Sequence, residues 1–431
     1  MIAKYIIIRT ITVYRNDRLY LCVHIKNLFG GMVNMMYFAV LLGILFCSFW
    51  VSQLIFVYLH LRWTNTIIKS NDEDINVPVT VIHPIKDLDF EFEKNLESWM
   101  NQNYKGNVQH IFSFQQPDDP SIQVVKQIKE RYPDKDIEII VNPVMNGLNG
   151  KSSNMVNGMK LAKYEIVVFG DSDVRIKQDF LVKMVRPLAD EKVGITTCGQ
   201  INIGGNDFWT RFFSFLQNSE TDFMWAYFTK LGLDMGATGA AFGMRKKLLQ
   251  DIGGLEAFGG SLLEDLHLGN TLYKMGYKLV LGPFLECHVD KIEKEKSFNY
   301  AKRITVGIKT HIAVDLPAFV LILFWYWALF FFAILTQNTK LIYLSLFYML
   351  FRTVHGILHR KVTMNKVLSV DILMPLLFDI FGTFYLFYAF KKPSVSWRGI
   401  EYKVKKGGFI EDISFNEAAI IDESLIEEER N

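Results

Sequence analysis

Cysteine is scarce in this chain: four residues in 431, Cys22, Cys47, Cys198 and Cys287, with no C-x-x-C among them. That spacing argues against a zinc site or a disulfide framework, and it fits a working domain that faces a reducing compartment. An excess of one charge sign is lacking too. The 47 Lys and Arg against 45 Asp and Glu leave a formal net charge of +2, so charge alone does not point to nucleic acid. No internal repeat or low-complexity tract is present. A nucleotide-triphosphate P-loop is also missing. Gly147-Leu148-Asn149-Gly150-Lys151-Ser152 ends like one, but G-x-x-x-x-G-K-[ST] requires Gly at 145, where Met145 stands.

Apolar residues are plentiful, at 50% of the chain, and they are unevenly spread. Residues 77–295 have the mixed composition of a globular domain. Residues 36–61 carry no charge before His60 and are long enough for a bilayer, which takes roughly 20 residues. Residues 313–390 hold two to three further hydrophobic segments. The first, 313–335, is continuous. The second, 341–358, must accommodate Arg352. The third, 367–390, is interrupted by Asp371, Pro375 and Asp379, which suits an interfacial or re-entrant segment as well as a span. Residues 296–312 read as interfacial and 391–431 as a polar tail. Lys4, Arg9, Arg15, Arg18 and Lys26 oppose only Asp17 in residues 1–35. The positive-inside rule would put that end in the cytoplasm and the central domain outside. Translation from Met32, Met35 or Met36 would remove the conflict and leave the central domain in the cytoplasm. A hidden extra crossing is the other resolution.

Within 77–295, strand-like and helix-like stretches alternate. Val77–Pro84, Val108–Phe114, Ile137–Val141 and Glu165–Phe169 read as buried strands. Phe90–Gln102, Ser121–Tyr132 and Ser152–Ala162 read as helices. This alternation predicts an α/β fold with a mostly parallel sheet. In such sheets ligands bind beyond the carboxyl ends of the strands. Asp118-Asp119, Lys151 and Asp171-Ser172-Asp173 all follow predicted strands and can converge there.

Asp171 and Asp173, two positions apart at a strand end, can hold Mg²⁺ or Mn²⁺, which favour carboxylate, water and phosphate oxygens. An isolated solvated turn would show the same three letters. Lys151 can meet a diphosphate, with Asn154 facing the same crevice, though an ordinary helix start reads alike. Glu264-Asp265 opens a helical stretch after Gly253-Gly254 and Gly259-Gly260. One carboxylate there can deprotonate a hydroxyl; capping of the helix is the plainer role. Thr238-Gly239 precedes a strand-like piece and can form an acceptor floor. Phe208–Phe228 suits an interfacial or a buried helix.

His83-Pro84-Ile85-Lys86-Asp87-Leu88-Asp89, Gln115–Pro120, Asn154–Arg175, Leu255–Gly276 and the tail Pro393-Ser394-Val395-Ser396-Trp397-Arg398 together resemble the ceramide glucosyltransferases, family-21 inverting glycosyltransferases of the GT-A fold. The resemblance implies an integral membrane enzyme with a UDP-sugar donor such as UDP-glucose, a lipid acceptor such as ceramide, and a divalent metal, Mn or Mg. It implies Asp265 as the catalytic base. It puts Asp118 or Asp119, Lys151, Asn154, Asp171 and Arg303 on the donor, and Asp171 and Asp173 on the metal. Glu264, Thr238, Gly239, Trp397 and Arg398 fall on the acceptor side. The family's (Gln/Arg)-x-x-Arg-Trp motif is altered here to Tyr300-Ala301-Lys302-Arg303-Ile304, and Gln116 stands in part of the first acidic motif. These departures keep other lipid acceptors open, hopanoids or diacylglycerol. A processive polysaccharide synthase and a non-catalytic lipid-binding scaffold are the rival classes.

Overall fold

The computed structural model describes residues 32–66, 75–231, 236–311, 316–364, 367–391, 394–397, 400–405 and 407–415. Most of the basic N-terminal stretch, the polar end of the tail and Arg398 lie outside the described residues.

The central sheet has seven strands in the order β3-β2-β1-β4-β8-β6-β9. They are β1 (Val79–Pro84), β2 (Val108–Phe114), β3 (Asp136–Val141), β4 (Ile166–Gly170), β6 (Val193–Cys198), β8 (Ala241–Arg245) and β9 (Lys278–Leu281). The sheet is mostly parallel, as the alternation predicts. The exception is β8, which pairs antiparallel with both β4 and β6. That reversal brings the start of β8 to the edge where β4 ends, so Gly170 pairs with Ala241. Every residue of β1, β4 and β6 is buried, the pattern of strands covered on both faces.

Helices α1 (Met32–Thr66), α2 (Phe92–Met100), α3 (Ser121–Arg131) and α4 (Gly150–Met159) come first in the chain. Helix α2 buries Phe92, Leu96, Trp99 and Met100, and α3 buries Ile122, Val125 and Ile128, each along one helical face. Taking such side chains out of water contributes about 1.5–3 kcal/mol apiece, far more than differences in helix propensity. Helix α4 shows the same priority. Its sequence, Gly-Lys-Ser-Ser-Asn-Met-Val-Asn-Gly-Met, is rich in weak helix formers. It lies so close on β1 that a Cβ at Gly158 would stand 2.6 Å from Ile82 Cγ2. Small residues here permit contact, and contact holds the helix.

Later in the chain are α5 (Phe180–Val185), α6 (Phe208–Phe215), α7 (Phe223–Lys230), α8 (Lys246–Asp251), α9 (Glu264–Lys274) and α10 (Lys294–His311). A π-helical turn, Leu216–Asp222, joins α6 to α7. Its Asn218 side chain both accepts from Asn202 N and donates to Asn202 O, adding a rung to β7 (Gln200–Gly204). A second sheet has the order β5-β10-β7, with β5 at Val174–Arg175 and β10 at Leu285–Val289. The last sheet is an antiparallel meander of β11 (Ser394–Trp397), β12 (Ile400–Val404) and β13 (Ile410–Phe415).

The apolar C-terminal region forms α11 (Leu316–Leu335), α12 (Thr339–Met364) and α13 (Met374–Lys391). Two described stretches are long and apolar enough to cross a bilayer, Met35–Arg62 and Thr339–Thr363. The charges that seemed to interrupt this region are buried and paired. Arg352 grips Asp379 with two hydrogen bonds, of 2.9 and 3.0 Å. Asp371 lies in a 3₁₀ turn before α13, where Arg211 binds both its oxygens and Arg360 Nε is 3.4 Å away. Pro375 stands in the first turn of α13, where no backbone donor is lost. So the helix starts after Asp371 and takes Pro375 into its first turn.

Two compact units are present. One takes its described residues from Met1–Val51 and Trp325–Phe351. Its Phe46 ring meets Trp325, Tyr326, Tyr348 and Phe351, and Gly43 leaves the space that the Tyr348 ring fills. The other holds Ser52–Phe324 and Arg352–Asn431. There the second half of α1 packs Val57 with Ile201, Trp225 and Phe284, and His60 Nε2 is 3.1 Å from Gly282 O.

Candidate active site

The carboxyl edge of the central sheet gathers four segments: the turn after β4, the loop before β8, and the first turns of α4 and α9. Asp171 N donates to Ala240 O at 3.0 Å, fixing the first segment to the second. Lys151, in the first turn of α4, places Nζ 2.6 Å from Asp171 Oδ1 and donates to Gly239 O at 2.9 Å. Gly239 is the gap between this cation and Asp265. A Cβ on Gly239 would stand 2.7 Å from Asp265 Oδ2 and 3.3 Å from Lys151 Nζ. Thr238, one residue back, is tied to β6, donating to Cys198 O at 2.6 Å.

Glu264 and Asp265 open α9, and Glu264 is buried. Asn149 Nδ2 donates to Glu264 Oε2 at 2.7 Å and to Ser261 O at 2.9 Å. Its Oδ1 accepts from Ser152 N, capping α4. The Asn149 backbone donates to Gly259 O. Loop 146–149 and the glycine-rich segment meet closely enough that a Cβ at Gly147, whose φ is +108°, would overlap Gly259 O. Asn149 has no place in the sequence-level expectation. Its signal was its position as a cap just before Gly150-Lys151.

Burial pushes the Glu264 carboxyl up, and the Asp265 charge adds to it, against Lys151 and Asn149. Burial raises Asp265 too, with Lys151 opposing and Asp171 reinforcing. Burial works against the Lys151 charge, but Asp171, Glu264 and Asp265 outweigh it, and its pKa stands above the ordinary lysine value. Three acids therefore act on one half-buried ammonium. The arrangement suits proton abstraction by a carboxylate next to a cation that can meet a leaving anion.

A second cluster lies on the C-terminal meander. Leu262 N donates to Gly408 O and Ile410 N to Gly260 O, so β13 and its turn flank the segment leading into α9. Arg303, on α10, stacks between Tyr300 and Trp397, with its guanidinium carbon 5.2 and 4.8 Å from the two ring centres. Trp397 thus supplies an aromatic face to Arg303 from a distant strand. Tyr402 lies in reach of both clusters: burial raises its pKa, Glu264 adds to that, and Arg303 opposes.

The other expected residues differ in exposure and partners. Asp118 is exposed. Asp119 is buried and internally engaged, accepting from Asp87 N, Ser121 N and Ser121 Oγ. Asn154 donates to Ile85 O at 2.9 Å, and its buried Oδ1 has no hydrogen-bond partner among the described residues. Asp173 sits in the turn entering β5, next to Ser172, whose hydroxyl donates to Asp89 at 2.6 Å. Among the described residues, no group of three or more His, Cys, Asp or Glu side chains is placed to hold a metal ion.

The chain matches the family described as Glycosyl transferase family 21 over residues 45–410. It is similar to ceramide glucosyltransferase 3 of Caenorhabditis elegans, 28% identical over 218 residues, which is 48% of this chain and 45% of that protein. It is similar to the ceramide glucosyltransferase of Candida albicans, 34% identical over 128 residues, 27% of this chain and 24% of that protein. These matches span less than half the length of either relative. Among solved structures it is similar to a mannosyltransferase from Pyrobaculum calidifontis in complex with GDP-Man and Mn²⁺. There the identity is 16% and the TM-score 0.45, over 82% of this chain and 98% of that chain. With the family matched across the central sheet, the acidic cluster and most of the C-terminal region, this chain belongs to glycosyl transferase family 21.

Proposed function

We infer that the protein is a membrane glycosyltransferase of GT-A type. It moves a hexose from a UDP-sugar, UDP-glucose in the first instance, to a lipid hydroxyl such as that of ceramide, with inversion. The observation that carries this reading is the pairing of Lys151 with Asp171 beside Asp265, across the gap left by Gly239. It puts a cation for the departing diphosphate next to a carboxylate whose proton affinity is raised by burial. The apolar stretches Met35–Arg62 and Thr339–Thr363 support a membrane acceptor, and the catalytic unit is assigned to the cytoplasm, where nucleotide sugars are available.

The reaction is a single in-line displacement. Asp265 takes the proton from the lipid hydroxyl. The oxygen forms its bond to the anomeric carbon on the face opposite UDP, as the bond from that carbon to the diphosphate oxygen breaks. Lys151 and Arg303 receive the negative charge of the leaving group. Asn154, through its unpartnered Oδ1, is available to a donor N–H or O–H. Glu264, Thr238, Gly239 and Trp397 form the acceptor side.

A divalent cation fits the donor set of Asp171 and Asp173. Mg²⁺ and Mn²⁺ accept one or two carboxylates and complete their shells with water and phosphate. Because Lys151 already occupies Asp171, the cation would share that carboxylate with the ammonium or displace it. Bound there, it would neutralise diphosphate charge.

The test is a product assay in membranes expressing the chain, with UDP-glucose, UDP-galactose or UDP-N-acetylglucosamine and Mn²⁺ or Mg²⁺, identifying new glycolipids by mass. A ceramide hexoside supports the full reading. A different glycolipid keeps the mechanism and changes the acceptor. No product from a folded protein with any pair rejects the enzyme reading.

A further inference from the structure

We propose that Asn149 is a positioning residue that sets the spacing between the donor-side cation and the base. This rests on the functional reading above. Asn149 lies two residues before Lys151, and its partner Glu264 lies one residue before Asp265. One amide therefore ties the first turn of α4 to the first turn of α9.

The side chain is buried, and each of its polar groups is engaged. Oδ1 accepts from Ser152 N at 3.2 Å, and Nδ2 donates to Glu264 Oε2 at 2.7 Å and Ser261 O at 2.9 Å. The backbone is also held, with N donating to Gly259 O and O accepting from Ser153 N and Ser153 Oγ. Only a group with one acceptor and two donors satisfies the three side-chain partners. Asp caps a helix as well as Asn does, yet it would turn a carboxylate toward Glu264 and lose both donations. The cap and the tie are thus separable by one substitution.

Among the described residues, the charged and titratable groups around the Glu264–Asp265 pair include Lys151 from α4, Asp171 from the turn after β4, Tyr402 from β12 and His267 one turn along α9. An added carboxylate at 149 opposes ionisation of the pair, so the base would stay protonated to higher pH.

The experiment measures kcat, donor KM and the pH profile of kcat/KM for detergent-solubilised wild type, Asn149→Asp, Asn149→Ser and the exchange variant Asn149→Asp with Glu264→Gln. UDP binding and melting temperature serve as folding controls. Asn149→Asp is expected to lose about tenfold or more in kcat, with donor KM within about threefold and the acid limb moved up by about one pH unit. Asn149→Ser keeps a cap without adding charge, so kcat falls while the limb moves less than in Asn149→Asp. The exchange variant restores an N–H to carboxylate bond with its direction reversed, and at saturating acceptor is expected to regain part of the loss in kcat and return the limb. An unchanged kcat and limb in Asn149→Asp overturns this role alone, as does an exchange variant no better than Asn149→Asp. If Asn149→Asp does not fold, wild-type kcat in Asn149→Ser overturns it. A wild type that transfers nothing overturns the functional reading, and this role with it.

Discussion

Lys151 meets both carboxylate oxygens of Asp171, with Nζ 2.6 Å from Oδ1 and 2.7 Å from Oδ2. The pair comes from the start of one helix and the end of one strand, 20 residues apart. Because Asp265 stands across Gly239 from the same ammonium, one cation lies beside both acids. A change in any of these groups is therefore felt by the others.

Asp265→Asn removes the proposed proton acceptor and leaves the size of the side chain. Transfer is expected to fall by about three orders of magnitude or more, as the loss of a positioned base plus its electrostatics allows. UDP affinity should stay within a few-fold. Calorimetric UDP titration alongside the glycolipid assay checks this, and a parallel loss of UDP binding would move Asp265 to the donor site.

Gly239→Ala tests the gap itself. The new methyl would lie 2.7 Å from Asp265 Oδ2 and 3.1 Å from Asp265 Cγ, inside ordinary contact distance. Separation of the base from Lys151 should lower kcat by about 100-fold and stability by about 1–3 kcal/mol. Steady-state kinetics and thermal melting measure the two effects; wild-type kcat would show that the spacing is not critical.

Glu264→Gln should change the pH dependence of stability. Burial and the Asp265 charge push Glu264 up to about 7. Between the ordinary carboxylate value and that pH, the folded chain binds more protons than the unfolded one. Rising pH therefore costs the wild type stability over that window. The variant lacks this slope, so its melting temperature relative to wild type should rise from pH 5 to pH 8. A constant difference would mean that Glu264 ionises normally.

Asp371→Asn should destabilise the chain by about 3–5 kcal/mol, because it removes the negative partner of buried Arg211 and Arg360. Glu411→Gln, at the exposed Lys403–Glu411 pair, should change melting little. Thermal unfolding in detergent compares the two. Equal effects would show that Asp371 is not the anchor of this region.

Much of the fold was legible in the sequence. β1, β2, β3 and β4 declare themselves as short β-branched or aromatic runs, and α2 and α3 by apolar spacing along one face. These are local signals, because strand and helix periods are written in neighbouring residues. The direction of β8 was not legible, since a five-residue apolar strand reads alike in either direction. Nor was the start of α13, where Asp371 and Pro375 looked like interruptions until Arg211 and Arg360 supplied the missing charges.

The candidate site divides the same way. The sequence by itself determined which chemistry-bearing residues exist and that Lys151 and Asp171 follow strands, because βα order sends loops to one edge of a parallel sheet. Only the tertiary structure decided which of them meet. Lys151 reaches Asp171 and Gly239, while Asp119 turns inward to Asp87 and Ser121. Asn149 ties α4 to Glu264 across 115 residues, and Trp397 stacks on Arg303 from a separate sheet. Such partnerships depend on distances set by packing, and packing is a property of the whole chain rather than of any segment in it.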